Sequence, residues 1–271
     1  ADLKKLAQLA PQDPGLAGDL LHLKLHGGEW EGFDAAKAAL DDGVRAGLPM
    51  VEPFVYQGLS DCPTDLLACA TLQAARKFPP QPALHGGRAG PSGKIRLGYV
   101  SGEFRAQATA YLAAGLYEAH DRARFEVIGF DNSRKDVSPM RARLEAGFDR
   151  MFDITGLGDA EAAALVAAQG IDILVNLNGW FGAHRMGVFA HRPAPIQVNY
   201  LGFPGTLGTP YIDYILADRC VIPEQDRRHY AEKVVWLPHS YQVNDSRRPI
   251  AQVLPARAAH GDAGWIRGLK N

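Results

Sequence analysis

The sequence predicts an α/β protein: a doubly wound, mainly parallel sheet preceded by a small all-helical region. Three observations carry this. Residues 1–78 carry apolar residues at helical spacing. Residues 79–93, PPQPALHGGRAGPSG, are rich in Pro and Gly and form the best linker in the chain. From residue 94 onward short apolar runs alternate with helical segments, the pattern of βαβ units around a sheet covered on both faces.

Each element has a local reason. Leu3, Leu6, Leu9 and Ala10 form one helical stripe. Leu16, Leu20, Leu21, Leu23 and Leu25 form a second, ended by Gly27 and Gly28, and Phe33, Ala36, Ala39, Leu40 and Val44 a third, ended near Gly47 and Pro49. Pro63 and Thr64 start a helix that continues through Leu66, Leu67, Ala70, Leu72 and Ala74. KIRLGYVS then reads as a strand, Thr109 to His120 as a helix, and RFEVIGFD as a strand. Ser138 and Pro139 place a cap and a first-turn proline before the next helix. RMFDIT, IDILVNLNG, PIQVNYL, IDYILAD and KVVWLP are further strands, with the helix DAEAAALVAAQG after the first. Ligands of such sheets bind beyond the carboxyl ends of the strands, so the informative loops are those after Ser101, Asp131, Asn178, Leu201 and Asp218.

Composition bounds the function. The 271 residues suffice for one large domain, or a domain with a helical appendage. A content of 46% hydrophobic and 22% charged residues is that of an ordinary globular protein, and a net charge of -1 gives no global bias toward nucleic acid or an anionic membrane. Cys62, Cys69 and Cys220 describe neither a disulfide framework nor zinc-finger spacing, so a reducing, cytoplasmic setting is expected. No apolar run reaches the ~18 residues of a transmembrane helix. The start, ADLKKLAQLAPQDPG, lacks the apolar core of a signal peptide. It also lacks an initiator Met, so a processed chain or a fragment is expected.

Two stretches carry candidate chemistry. In SGEFRAQATAY, residues 101–111, a strand end leads into a helix N-terminus with free N–H groups, and Glu103, Gln107 and Thr109 can reach a polar ligand there. The plain alternative is that Gln107 or Thr109 caps the helix. In LVNLNGWFGAHRMGVFAHRPAPIQVNYLGFPGTLG, residues 174–208, the alternation places Asn176 and Asn178 on one face. Trp180 and Phe181 form either an aromatic wall or a cap on the core. Gly202 and Gly205 around Pro204 either let a ligand approach the main chain or make a tight turn. His184 and His191, seven apart, make a poor metal site, and Arg185 and Arg192 read as ion-pairing residues. Asp213 and Asp218 lie at opposite ends of a strand, too far apart to act as a pair. No dinucleotide fingerprint, Walker A, G-x-S-x-G or H-E-x-x-H motif is present. His239 follows a strand and reads as a structural histidine or a lining residue of the crevice.

IRLGYVSGEF, FEVIGFDNS, GIDILVNLNGW, FAHRPAPIQVNYLGFPGTLGTPYIDYILAD and YAEKVVWLPHSY resemble, in this order, the catalytic region of the O-linked N-acetylglucosamine transferase family, which includes SPINDLY-type proteins and bacterial relatives with tetratricopeptide repeats. The resemblance spans roughly residues 10–257, with GEWEGFDAAKAAL similar to the family's linker between repeats and catalytic region. It implies a GT-B architecture of two Rossmann-like lobes and transfer of a sugar to protein Ser or Thr. The implied partners are a nucleotide sugar (UDP-GlcNAc, or GDP-fucose in some SPINDLY-type members) and an acceptor protein, with no nucleic acid, membrane, cofactor or metal. The implied division is residues 1–78 as the end of the repeat array and linker helices, 79–93 as linker, 94–257 as the first lobe, and 258–271 as a tail with the second lobe absent.

The resemblance places Glu103 and Gln107 at catalytic positions. It places Thr109, Asn178, Trp180, Phe181, Leu201, Gly202, Pro204, Gly205 and Thr206 around the substrates. Many relatives carry Asp-Phe and then His-Pro where this chain has Glu103-Phe104 and Gln107-Ala108, and the Gln107 amide does not titrate. Relatives can also carry a histidine pair after a proline where this chain has Pro53, Phe54 and Val55. The competing expectation is a non-catalytic protein-interaction module derived from this family.

Overall fold

The computed structural model describes residues 15–85 and 93–248. The stripe at Leu3 to Ala10 and the tail from residue 258 lie outside the described residues.

The helical region is built from α1 (Gly15–His26), α2 (Phe33–Arg45), α3 (Pro53–Gln57) and α4 (Pro63–Lys77). Gly28 and Gly47, just past the ends of α1 and α2, take the left-handed conformation expected of helix-ending glycines. Proline occupies the first turn of both α3 and α4, where its missing N–H has no partner to lose. The short α3 has too few residues to show a period, which hid it in the sequence. Leu21, Leu40, Val44, Val51, Tyr56, Leu59 and Cys69 form one core among these helices. Each such side chain, fully buried, contributes about 1.5–3 kcal/mol. Inside that core Tyr56 donates to Asp41 at 2.6 Å, and at its surface the exposed Arg45 pairs with Asp65 at 2.6 Å to tie α2 to α4.

The remainder is a doubly wound sheet. Its strands are β1 (Ile95–Ser101), β2 (Phe125–Asp131), β3 (Arg150–Asp153), β4 (Ile173–Asn176), β5 (Ile196–Asn199), β6 (Tyr214–Ala217) and β7 (Lys233–Trp236). They run in the order β3-β2-β1-β4-β5-β6-β7, and every pairing is parallel. Helices α5 (Ala108–Ala119), α6 (Pro139–Gly147), α7 (Asp159–Ala168) and α8 (Met186–Ala190) cover it, and a 3-10 helix spans Glu224–His229. Alternation along the strands assigns the faces. Leu97 and Tyr99 pack with Ala113, Tyr117 and Leu144 of α5 and α6. Val100, Ile128, Phe130 and Leu174 pack with Ala162, Val166, Val188 and Phe189 of α7 and α8.

Three strands end earlier than the apolar runs suggest: β4 at Asn176, β5 at Asn199 and β6 at Ala217. Side chains cause this. Asn176 Oδ1 accepts from the N–H groups of Asn178 and Gly179, closing a turn. Asn199 Nδ2 donates to the carbonyls of Phe203 and Gly205. Asp218 Oδ1 accepts from the N–H groups of Cys220 and Val221. Asn178 therefore lies beyond the strand, and the expected sharing of one strand face with Asn176 does not hold.

The helical region lies against the sheet. Tyr211 donates to the Phe78 carbonyl at 3.0 Å, and Ala74 joins the core of α7 and α8. Gly208 has φ of +66°, and a Cβ there would sit 2.4 Å from the Thr71 nitrogen. The Pro-rich stretch is tied down in part: Gln81 and Leu84 donate to the carbonyls of Ala190 and His191, both at 2.9 Å. Among the described residues no helix is long and apolar enough to cross a membrane.

Candidate active site

The chain reverses its winding between β1 and β4, which lie side by side in the sheet. At such a switch point the flanking connections run to opposite faces and leave a crevice at the carboxyl ends. Three loops border it: 102–107 after β1, 177–185 after β4 and 200–208 after β5.

The loops are joined through their backbones. Asn178 Oδ1 accepts from Gly102 N–H at 2.9 Å, and its Nδ2 donates to the Phe181 carbonyl at 3.1 Å. Its amide thus serves the loop-to-loop junction. Gly202 donates to the Leu177 carbonyl at 3.2 Å, and a Cβ on Gly202 would lie 2.2 Å from that oxygen. Leu201 has φ of +74°, uncommon for a residue with a side chain. Gly202 N–H also reaches the Tyr200 carbonyl at 3.1 Å, so Leu201 is the centre of a tight three-residue turn. Its side chain is buried in the core of α5 and α6, which holds the turn in place.

In the β1 loop, Phe104 N–H donates to Ser133 at 2.7 Å and Ala106 N–H to Asp136 at 2.6 Å. Arg141 pairs with Asp131 and donates to the Phe104 carbonyl. Glu103 is buried beside Gly182 and accepts from Arg105 at 3.3 Å. Burial raises its carboxyl above the usual range, and Arg105 opposes the rise. Gln107 is the N-cap of α5: its side-chain oxygen accepts from Thr109 N–H at 2.9 Å. Thr109 is buried in the first turn, and its hydroxyl makes no hydrogen bond among the described residues.

Trp180 belongs to the core of α7 and α8 and is 4% exposed. It packs against Phe78 and His184 and does not line an open wall. Phe181 is half-buried, and its ring centroid lies 5.1 Å from that of Phe54, which is 6.4 Å from Phe203. Phe54 stands 41% exposed beside the β4 and β5 loops. Pro204 and Gly205 are partly exposed. Thr206 is buried: its hydroxyl donates to Glu232 at 2.7 Å and accepts from Gly208 and Ala231 N–H groups. With donor and acceptor capacity both used, it is a loop brace, and its expected substrate contact is withdrawn.

Other candidates have structural partners. Arg185 pairs with Asp159 and donates to Asn132 and two carbonyls, and Arg192 pairs with Asp213. Asp218 accepts Tyr241 N–H at 2.7 Å, in addition to closing its own turn. His184 is half-buried against the rings of Phe78 and Trp180, and that desolvation lowers its pKa, while His239 is exposed. Among the described residues no three His, Cys, Asp or Glu side chains are grouped to hold a metal ion. Sequence reasoning missed Glu232, which sits 26 residues beyond Thr206 with no motif to link them. It also missed a cavity of about 140 Å³ between Pro53, Gln57 and Leu66 of the helical region and Phe203, Gly205 and Tyr230 of the sheet.

An all-parallel, doubly wound sheet with glycine-lined loops at its switch point defines a Rossmann-like ligand-binding lobe. The chain belongs to glycosyl transferase family 41, whose model matches residues 77–261. It is 37% identical over 179 residues to an Arabidopsis thaliana protein described as a probable UDP-N-acetylglucosamine--peptide N-acetylglucosaminyltransferase SEC, covering 64% of this chain and 18% of that protein. It is 33% identical over 167 residues to an Oryza sativa SPINDLY protein described as a probable transferase of the same kind, covering 60% and 18%. Among solved structures, the K341M mutant of Thermobaculum terrenum O-GlcNAc transferase superposes with a TM-score of 0.72 at 31% identity, covering 89% of this chain and 47% of that one. The chain thus spans under a fifth of these curated relatives and about half of the bacterial structure.

Proposed function

We propose that this chain is the first catalytic lobe of a cytoplasmic protein O-glycosyltransferase that moves a sugar from a nucleotide donor, UDP-GlcNAc in the first instance, to Ser or Thr of an acceptor protein. The observation that carries the reading is the coincidence of the family 41 match with the three joined loops at the β1/β4 switch point. The Thr109 hydroxyl and the backbone around Gly202 and Gly205 face donor sugar and phosphate. Phe54 and Phe181 present apolar ring surface beside them.

In the transfer the acceptor oxygen attacks the anomeric carbon, the bond to the nucleotide diphosphate breaks, and the acceptor hydroxyl loses its proton. Gln107 cannot take that proton, because an amide does not titrate and its oxygen already caps α5. Glu103 is the titratable member of the pair, and a raised carboxylate pKa suits a proton acceptor. Positioning and stabilisation of the departing phosphates supply the rest.

The test is incubation of the protein with labelled UDP-GlcNAc and, separately, GDP-fucose, in the presence of Ser/Thr-bearing protein acceptors. Label on the acceptor supports the reading. Absence of transfer, of donor hydrolysis and of calorimetric donor binding overturns it in favour of a non-catalytic interaction module.

A further inference from the structure

The loop at residues 204–208 is anchored from behind by a residue with no place in the reaction. Glu232 lies immediately before β7 and is 4% exposed. One carboxylate oxygen accepts the Thr206 hydroxyl at 2.7 Å, and the other accepts Leu207 N–H at 2.6 Å. Tyr230, two residues earlier, donates to the Pro204 carbonyl at 3.3 Å, and Ala231 N–H reaches the Thr206 hydroxyl at 3.1 Å. The β6–β7 connection therefore grips Pro204, Thr206 and Leu207 of the candidate donor loop.

Two features argue that this grip has a purpose beyond filling the core. A buried carboxylate is expensive to desolvate, and no Lys or Arg pairs with Glu232 among the described residues. Burial raises its pKa, and the dipoles that oppose the rise are the Thr206 hydroxyl and Leu207 N–H of this loop together with its own backbone N–H. The loop also lacks packing on one side, because Gly205 and Thr206 border the cavity shared with Pro53, Gln57 and Leu66. With a void there, polar tethers set the loop's shape. A carboxylate suits the task because its two oxygens each serve a separate donor, whereas an amide offers one acceptor.

We propose that Glu232 is a positioning residue: its two oxygens hold Thr206 and Leu207 so that the backbone from Gly202 to Gly205 is presented to the donor. This rests on the functional reading above, and the experiment separates the two. Amide hydrogen exchange on the 271-residue chain reads the loop without any ligand, and calorimetric titration with UDP-GlcNAc reads the site. Glu232→Leu keeps volume and removes both acceptors, Glu232→Gln restores one, Thr206→Val removes the hydroxyl and Thr206→Ser retains it.

Glu232→Leu is expected to raise exchange at Leu207 and Gly208 at least about tenfold while Val127 and Ile128 in the sheet centre stay protected, with Glu232→Gln intermediate. Donor affinity is expected to fall about tenfold in Glu232→Leu and in Thr206→Val, to fall no further in the double variant, and to survive in Thr206→Ser. Unchanged exchange at Leu207, exchange raised equally across the sheet, or additive losses in the double variant would overturn the proposal. If the unaltered chain binds no UDP-GlcNAc, the functional reading fails and the exchange arm alone decides whether Glu232 sets the loop.

Discussion

Replacing Gly202 with Ala tests the joint between the β4 and β5 loops. The added Cβ would lie 2.2 Å from the Leu177 carbonyl oxygen, over 1 Å inside the contact distance of about 3.5 Å. That oxygen cannot easily retreat. It shares its peptide with Asn178 N–H, which donates to Asn176 Oδ1 at 3.1 Å, and the preceding peptide is tied to β1 by Leu177 N–H donating to the Val100 carbonyl at 3.1 Å. The β5 loop must move instead, and the Gly202 N–H bond to the same oxygen is lost. Overpacking of this kind costs about 1–3 kcal/mol, and the hydrogen bond about 1 more. A total of about 2–4 kcal/mol is a large share of a typical stability of about 5–15 kcal/mol. For a chain of this size it lowers the Tm by roughly 5–15 °C. Scanning calorimetry on Gly202→Ala beside Gly156→Ala measures it, since a Cβ at Gly156 meets nothing within 4 Å. The control is expected within about 0.5 kcal/mol of the parent. A Gly202→Ala melt indistinguishable from the control would refute the account of how these loops are joined.

Other outcomes follow from the same geometry. Asp245 pairs with Arg143 at 2.6 Å, and that bond holds its carboxyl below the usual range. Its stabilisation is therefore present above the unfolded carboxylate pKa and is lost as pH falls through the lower folded value. Asp245→Asn should destabilise by about 1–3 kcal/mol near neutral pH, with urea melts of parent and variant converging in strong acid. Burial pushes the Cys69 thiol up to about 12, whereas Cys220 is exposed, so a thiol reagent at mildly alkaline pH should label Cys220 and reach Cys69 only on unfolding. Gln107→Ala should destabilise by about 0.5–2 kcal/mol through loss of the α5 cap, read by denaturant melts. Gln107→His should raise the rate of any sugar transfer and make it depend on pH near neutrality, because imidazole titrates there; an unchanged rate and pH profile would count against position 107 as catalytic.

The site was partly legible and partly hidden, for identifiable reasons. Glycine and proline spacing in GFPGT left open either ligand approach to the backbone or a tight turn, and around Gly202 the structure shows a tight turn packed on the Leu177 carbonyl. The family resemblance placed Thr206 around the substrates. Its hydroxyl is instead taken by Glu232, and no local pattern encodes a partner 26 residues away. Trp180 left two readings open, since an aromatic after a strand can face either way. Packing against Phe78, which comes from the end of the helical region, turned it into the core.

The sequence by itself determined the class of fold. Helical spacing, caps and alternating strands are local properties, and the stretches that carry the family resemblance, such as RPAPIQ and FPGT, are contiguous in the chain. Only the tertiary structure decided the strand order and where β4 and β5 stop. It also decided which polar groups remain open after neighbours have used the rest. Those outcomes depend on long-range pairing: β1 lies beside β4, Asn178 reaches Gly102, and Glu232 grips a loop from behind. A hydrogen-bonding group is available to a ligand only when no closer partner has taken it, and that is settled by the folded neighbourhood rather than by residue type.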